Sequence, residues 1–141
     1  MPPEIRILSV RQPFAHLIVS GTKKVENRGR PLCYRGPLLI HAGKQWYGSP
    51  VEEIERRYGV TIPRDLPRGG IVGIVGMTDC VTKSDDRFFT GPFGWVMHGA
   101  TPLPFIPCRG QIAVVKPDRE VLAKLRVLPE WEVALGNTLR G

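Results

Sequence analysis

The segment GGIVGIVGMTDCV, residues 69–81, constrains this chain more than any other. It is nearly continuous in apolar residues, rich in Val and Ile, and lacks the alternation of a strand with one wet face. Such a run reads as a central strand buried on both faces. A strand of that kind needs cover on two sides, so the rest of the chain must supply neighbouring strands and packing helices. Glycines at 70, 73 and 76 are spaced GxxGxxG, unlike a dinucleotide fingerprint, and no helical pattern follows. They mark a bend or bulge in a curved sheet.

The flanking segments supply that cover. Residues 7–10 (ILSV) read as a short first strand. Pro13 suits the first position of a helix whose apolar face is Phe14, Leu17, Ile18 and Gly21, and Gly21 can end it in the left-handed conformation. KVENR then alternates as a strand, with Lys24, Glu26 and Arg28 on one face and Val25 and Asn27 on the other. GPLLIHAG, residues 36–43, is a second clear strand. Ser49 and Glu52 form a capping-box pattern around Pro50, opening a helix with Val51, Ile54 and Tyr58 inward and Gly59 as its stop. A strand is expected at 94–98, while the three prolines of TPLPFIPCRG make an edge or irregular crossing. GQIAVV, residues 110–115, reads as the last strand; Asp118 caps REVLAKL, and Pro129 opens one more turn around Trp131.

This gives about five or six strands and three helices, with strands dominating the middle. The expected class is α+β: a small β-barrel or strongly bent mixed sheet with flanking helices. No linker, repeat or low-complexity stretch divides residues 1–141, so one domain is expected.

Composition narrows the function classes. No stretch approaches the ~20 apolar residues of a membrane span, and the N-terminus lacks a signal-peptide pattern. Cys33, Cys80 and Cys108 lie far apart with no CxxC, which suggests neither a disulfide framework nor a zinc site. The expectation is a cytoplasmic protein with no metal and no cofactor. The formal net charge is +7, and residues 1–36 hold seven lysines and arginines against two acids. That local excess favours a polyanion, nucleic acid being the commonest, or else a surface tuned for solubility.

Four clusters could carry chemistry. GTKKVENR, residues 21–28, could line a cleft in which Arg28 clamps a phosphate, Lys23 or Lys24 acts as a cation or a base, and Glu26 accepts from an exocyclic amine. Equally, Lys24, Glu26 and Arg28 could be an exposed ion ladder of little energetic consequence. In LLIHAGKQW, His41 and Lys44 end a buried strand beside Trp46, which could stack a base or simply close the core. Trp95 follows Pro92 and two glycines and could floor a pocket or pack in the core. Arg11 and Gln12, just before the first helix, could face the same cleft as GTKKVENR.

Taken together, LSVRQPFAHLIVSGTKKVENR, GPLLIHAGKQW, GGIVGIVGMTDC and GPFGWVM…LPFIPCRGQ resemble the activating-signal-cointegrator-homology (ASCH) family over residues 7–115. The family's hallmark GxKxxExR fits at Gly21, Lys23, Glu26 and Arg28. The resemblance implies a PUA-like fold with a cleft for RNA lined by the hallmark residues. Lys44 and Trp95 match positions that recur in bacterial members. The leading expectation is therefore a binding module for single-stranded or modified RNA, or a free nucleoside. Arg28 and Lys44 would hold phosphate, Glu26 and Asn27 would read a base edge, and Trp46 or Trp95 would stack.

Some small bacterial members are amidohydrolases that remove the acetyl group of N4-acetylcytidine with a lysine, a threonine and a glutamate. Lys23 matches that lysine, but Glu26 stands at the threonine position, and for the glutamate Asp79, Glu52, Glu53 and Glu55 are candidates by region only. In that alternative Lys23 would be the base, Glu26 would orient it or shuttle a proton, and a backbone N–H near Gly21 would hold the oxyanion. Another member cleaves RNA, so the resemblance also leaves an RNA-cleaving enzyme as an alternative, with no residues of this chain assigned to it.

Overall fold

The computed structural model describes residues 3–140. In chain order the elements are β1 (Arg6–Gln12), α1 (Phe14–Val19), β2 (Val25–Arg28), β3 (Gly36–Trp46), α2 (Val51–Tyr58), β4 (Gly70–Val81), β5 (Phe93–Pro107), α3 (Arg119–Arg126) and α4 (Trp131–Leu139). The strands form one mixed sheet in the order β1-β3-β4-β5-β2. β4 is central, antiparallel to both neighbours, and β1 adds to β3 in parallel.

The apolar run behaves as its sequence requires. Val72, Val75 and Met77 join a core with Leu8, Leu38, Ile18 and Trp95. Ile71 and Ile74 join a second core with Ile7, Leu39, Leu125 and Trp131. Burial of each such side chain contributes roughly 1.5–3 kcal/mol, so helices on both faces are held by β4. Its pairing with β5 slips in register at three places, between Ile71 and Gly73, Ile74 and Gly76, and Met77 and Asp79. A Cβ on Gly73 would lie 2.6 Å from Val19 of α1, and one on Gly76 would lie 2.6 Å from the Thr138 carbonyl of α4. These glycines thus let helices approach the sheet closely where it curves. The proline-rich half of β5 is an edge, because β2 pairs only with residues 93–96.

Some local expectations fail. GQIAVV is not a strand: Val115 makes a lone bridge to Ile7, and Ile112 is fully exposed. Alternating residues need a ladder partner, and here the Gln111 N–H donates to the Ser9 hydroxyl instead. The Ser49–Glu52 capping box does not form, since Pro50 itself is the N-cap of α2 and no side chain bonds there. Asp118 does sit at the N-cap of α3, without a side-chain bond. The tail forms a nine-residue helix rather than a single turn, which makes four helices among the described residues. Gly21 and Gly59 take positive φ, 83° and 65°, after α1 and at the end of α2 as expected.

The sheet bends without closing. β1 and β2 are its two edges. They approach closely enough for Arg28 Nη2 on β2 to donate to the Ser9 carbonyl on β1 at 3.1 Å. A bent sheet, rather than a barrel, therefore leaves an unpaired seam.

Candidate functional site

That seam is a cavity of about 600 Å³, within the range of about 300–1,000 Å³ common for ligand pockets. β1 contributes Ser9 and Arg11, α1 contributes Phe14, and the segment after α1 contributes Lys23, Glu26, Asn27 and Arg28. Tyr47, Arg57, Tyr58 and Thr90 complete the lining.

A three-residue ion cluster forms part of this lining. Lys23 Nζ donates to Glu26 Oε1 and to the Val25 carbonyl, both at 2.7 Å. Arg28 donates to Glu26 Oε2 through Nε at 3.0 Å and Nη2 at 2.8 Å. Lys23 is 4% exposed and Glu26 7%; Glu26 pairs with Lys23 and Arg28 and not with Lys24, so the exposed Lys24–Glu26–Arg28 ladder does not form. Burial pushes the Glu26 carboxyl up, but the Lys23 and Arg28 charges and their hydrogen bonds together hold it below its ordinary value. Both cations also sit near aromatic faces: Lys23 Nζ is 5.5 Å from the Phe14 ring centre, and the Arg28 guanidinium carbon 5.5 Å from that of Trp95.

The residues are placed together by ordinary local causes. Gly21 turns the chain after α1, and the Lys23 N–H donates to the Leu17 carbonyl at 2.8 Å. This folds the lysine back under α1. Strand alternation then brings Glu26 and Arg28 to one face of β2. Asn27 also borders the cavity, but its polar atoms fasten a loop. Its Nδ2 donates to the Phe88 carbonyl, and its Oδ1 accepts from the N–H groups of Thr90 and Gly91.

Of the residues singled out in the sequence, Arg11, Lys23, Glu26, Asn27 and Arg28 share the cavity. Lys44 is exposed and lies in a shallower depression beside it. Trp46 is half-buried and outside the lining. Trp95 is buried beside Arg28, and its Nε1 donates to the Arg30 carbonyl, so its ring supports the arginine instead of facing the cavity. Gln12 is buried away from the site, bonded to the Pro67 carbonyl and the His16 N–H. His41 is also buried, between the Ser9 hydroxyl and the Cys108 carbonyl.

The aromatic lining is Phe14, Tyr47 and Tyr58, and sequence reasoning missed the two tyrosines and Arg57. Phe14 packs edge-on to Tyr47 at 4.7 Å and to Tyr58 at 6.3 Å. In sequence, Tyr58 belongs to the apolar stripe Val51, Ile54 and Tyr58, which periodicity assigns to the core. Tyr47 is the next residue after Trp46, and strand alternation gave a reason to weigh it. Arg11, Lys23, Arg28 and Arg57 against Glu26 leave the lining net positive. Rings beside cations suit a flat ligand carrying negative charge. Among the described residues no cluster of His, Cys, Asp and Glu could hold a metal, and no helix is long and apolar enough to cross a membrane.

The family model of the ASCH domain matches residues 8–90. The chain belongs to the ASCH domain family. This is a family associated with RNA binding, and the matched region holds the Lys23–Glu26–Arg28 cluster. The ASCH chain is 37% identical over 83 residues to activating signal cointegrator 1 of Mus musculus and of Homo sapiens. That match covers 54% of this chain and only 14% of either relative. The crystal structure of an ASCH protein from Zymomonas mobilis has a TM-score of 0.58 at 18% identity, covering 89% of this chain and 95% of that one. A mutant form of the same protein gives 0.61, again at 18% identity, over 89% and 99% of the two chains. These likenesses show the fold.

Proposed function

We propose that this ASCH domain, acting as one unit over residues 1–141, binds single-stranded RNA by taking a base and its phosphate into the seam between β1 and β2. One observation carries the reading: a 600 Å³ cavity that joins an ion cluster to three aromatic rings and further arginines. Tyr47 or Tyr58 stacks the base. Arg28, already fixed by Glu26 and Trp95, presents its remaining donors to phosphate, with Arg11 and Arg57 at the rim.

The experiment is a fluorescence titration with a short single-stranded RNA. Tyr47 and Arg57 are exposed, so their replacement should leave the fold intact. Tyr47→Ala should weaken binding about tenfold, since one base–aromatic stack contributes about 1–3 kcal/mol. Arg57→Ala should lower the slope of log affinity against log salt by about 0.7, the value for one neutralised phosphate on a single strand. Wild-type affinity and salt slope in both variants would rule out this placement.

An amidohydrolase reading rests on a different observation, the buried Lys23 lying 2.7 Å from Glu26 in the cavity lining. As placed, Lys23 gives two of its three N–H groups to protein acceptors. The N–H groups of Gly21 and Lys23 are already given to α1 carbonyls, leaving neither for an oxyanion. Release of acetate from N4-acetylcytidine by wild type, abolished in Lys23→Ala, would nevertheless establish it.

A further inference from the structure

The pairing of β1 with β3 breaks where the cavity ends. Val10 is opposite Ala42, yet Gln12 is opposite Trp46. β1 therefore advances two residues while β3 advances four, and the surplus on β3 bulges opposite Arg11. Bulges of this kind re-aim side chains and interrupt a ladder. The bulge borders a second depression of about 250 Å³, lined by Ser9, Val10, Arg11, Gly43, Lys44 and Gln45. Ser9, Val10 and Arg11 line the main cavity as well, so the two are contiguous.

The chemistry of this depression is one-sided, with no acid in its lining. Lys44 is exposed while its aliphatic stem lies close to Gly69, with Cγ 3.5 Å and Cε 3.6 Å from where a Cβ would stand. Arg68 is exposed next to it and donates from Nη1 to the Lys44 carbonyl at 2.9 Å. Among the described residues, Arg11, Lys44 and Arg68 make no ion pair with a carboxylate. By contrast, Arg28 and Lys23 are paired within the main cavity.

We infer that this depression is a second phosphate subsite, so that the protein takes a strand of at least two nucleotides in preference to a nucleoside or mononucleotide. The inference rests on the reading that the main cavity holds RNA, and it specifies the ligand class. A nucleoside fills one cavity and carries no phosphate. A strand leaving that cavity past Arg11 carries its next phosphodiester onto unpaired cations. The attraction needs no sequence preference, because phosphate is the same on every nucleotide.

The test compares 5′-mononucleotides, 5′-phosphorylated dinucleotides and pentanucleotides, each in adenine, cytosine, guanine and uracil series, titrated onto the full chain. At least one series should gain about tenfold or more in affinity from mononucleotide to dinucleotide, as phosphate contacts accumulate. Lys44→Ala combined with Arg68→Ala should remove most of that gain and leave mononucleotide affinity unchanged. Lys44→Ala alone should weaken dinucleotide binding about three- to fivefold, in the range for one exposed charge pair. Mononucleotide binding with no gain on lengthening, or a gain that survives the double substitution, overturns the second subsite and leaves the main-cavity reading standing. No binding in any series overturns both.

Discussion

Glu26→Ala is expected to cost the fold about 3–5 kcal/mol, the usual consequence of removing one partner from a buried ion pair. Glu26 accepts from Lys23 and Arg28 with little exposure. Without it the Lys23 ammonium stays buried with only the Val25 carbonyl as acceptor. Urea unfolding of both proteins at neutral pH measures the difference, and a loss below about 1 kcal/mol would contradict the buried pairing.

The same pairing sets a pH dependence. Glu26 titrates below its ordinary value of 4.5 in the folded chain. Its contribution is therefore present above the unfolded pKa and is lost as pH falls through the folded one. Wild-type stability should fall on acidification below about pH 4.5, and Glu26→Gln should flatten that part of the curve. Replacing Lys23, Glu26 and Arg28 together by Met, Leu and Met should be far less damaging than Glu26→Ala. Apolar replacement of a whole buried ion cluster is often neutral or stabilising. That triple variant should nevertheless lose RNA binding. A folded triple variant with wild-type affinity would mean the cluster is not the binding site.

The second large effect is expected at a residue outside the cavity lining. Phe88 is 1% exposed and stacks on Tyr58 with ring centres 4.5 Å apart. Together with Leu17, Ile54 and Ile62 it forms the small core beneath α2. Phe88→Ala should destabilise by about 3–5 kcal/mol, as is usual for a fully buried phenylalanine. It should also weaken RNA binding at denaturant-free conditions where the variant remains folded. Its removal frees Tyr58, and the loop that Asn27 pins through the Phe88 carbonyl carries Thr90 into the cavity lining. Unchanged affinity in a folded Phe88→Ala variant would show that this wall does not contribute.

Much of this site was legible before folding was considered. The family resemblance implied that Lys23, Glu26 and Arg28 line one cleft, and alternation put Glu26 and Arg28 on one face of β2. The two tryptophans were harder to place. Trp46 and Trp95 stood next to turns and cations in sequence, as stacking residues often do, but Trp95 is covered by the core and Arg28. The partner of the 110–115 segment was equally invisible, because alternation describes a strand's faces and not the ladder it must join.

What the sequence determined by itself was local and periodic. The apolar run 69–81 required a central strand, its glycines marked a bend in the sheet, and Gly21 was suited to end the first helix in a left-handed turn. What only the tertiary structure decided was the meeting of distant edges. β1 and β2 come from opposite ends of the strand order, so no spacing in the chain could say that the sheet would stop short of closing. Burial drove the sheet to bend, and Arg28 reached the Ser9 carbonyl across the remaining gap. The Lys23–Glu26 pair is an ion pair rather than surface decoration because that bend excludes water from it, and exclusion of solvent is a property of packed elements, which no single stretch of sequence contains.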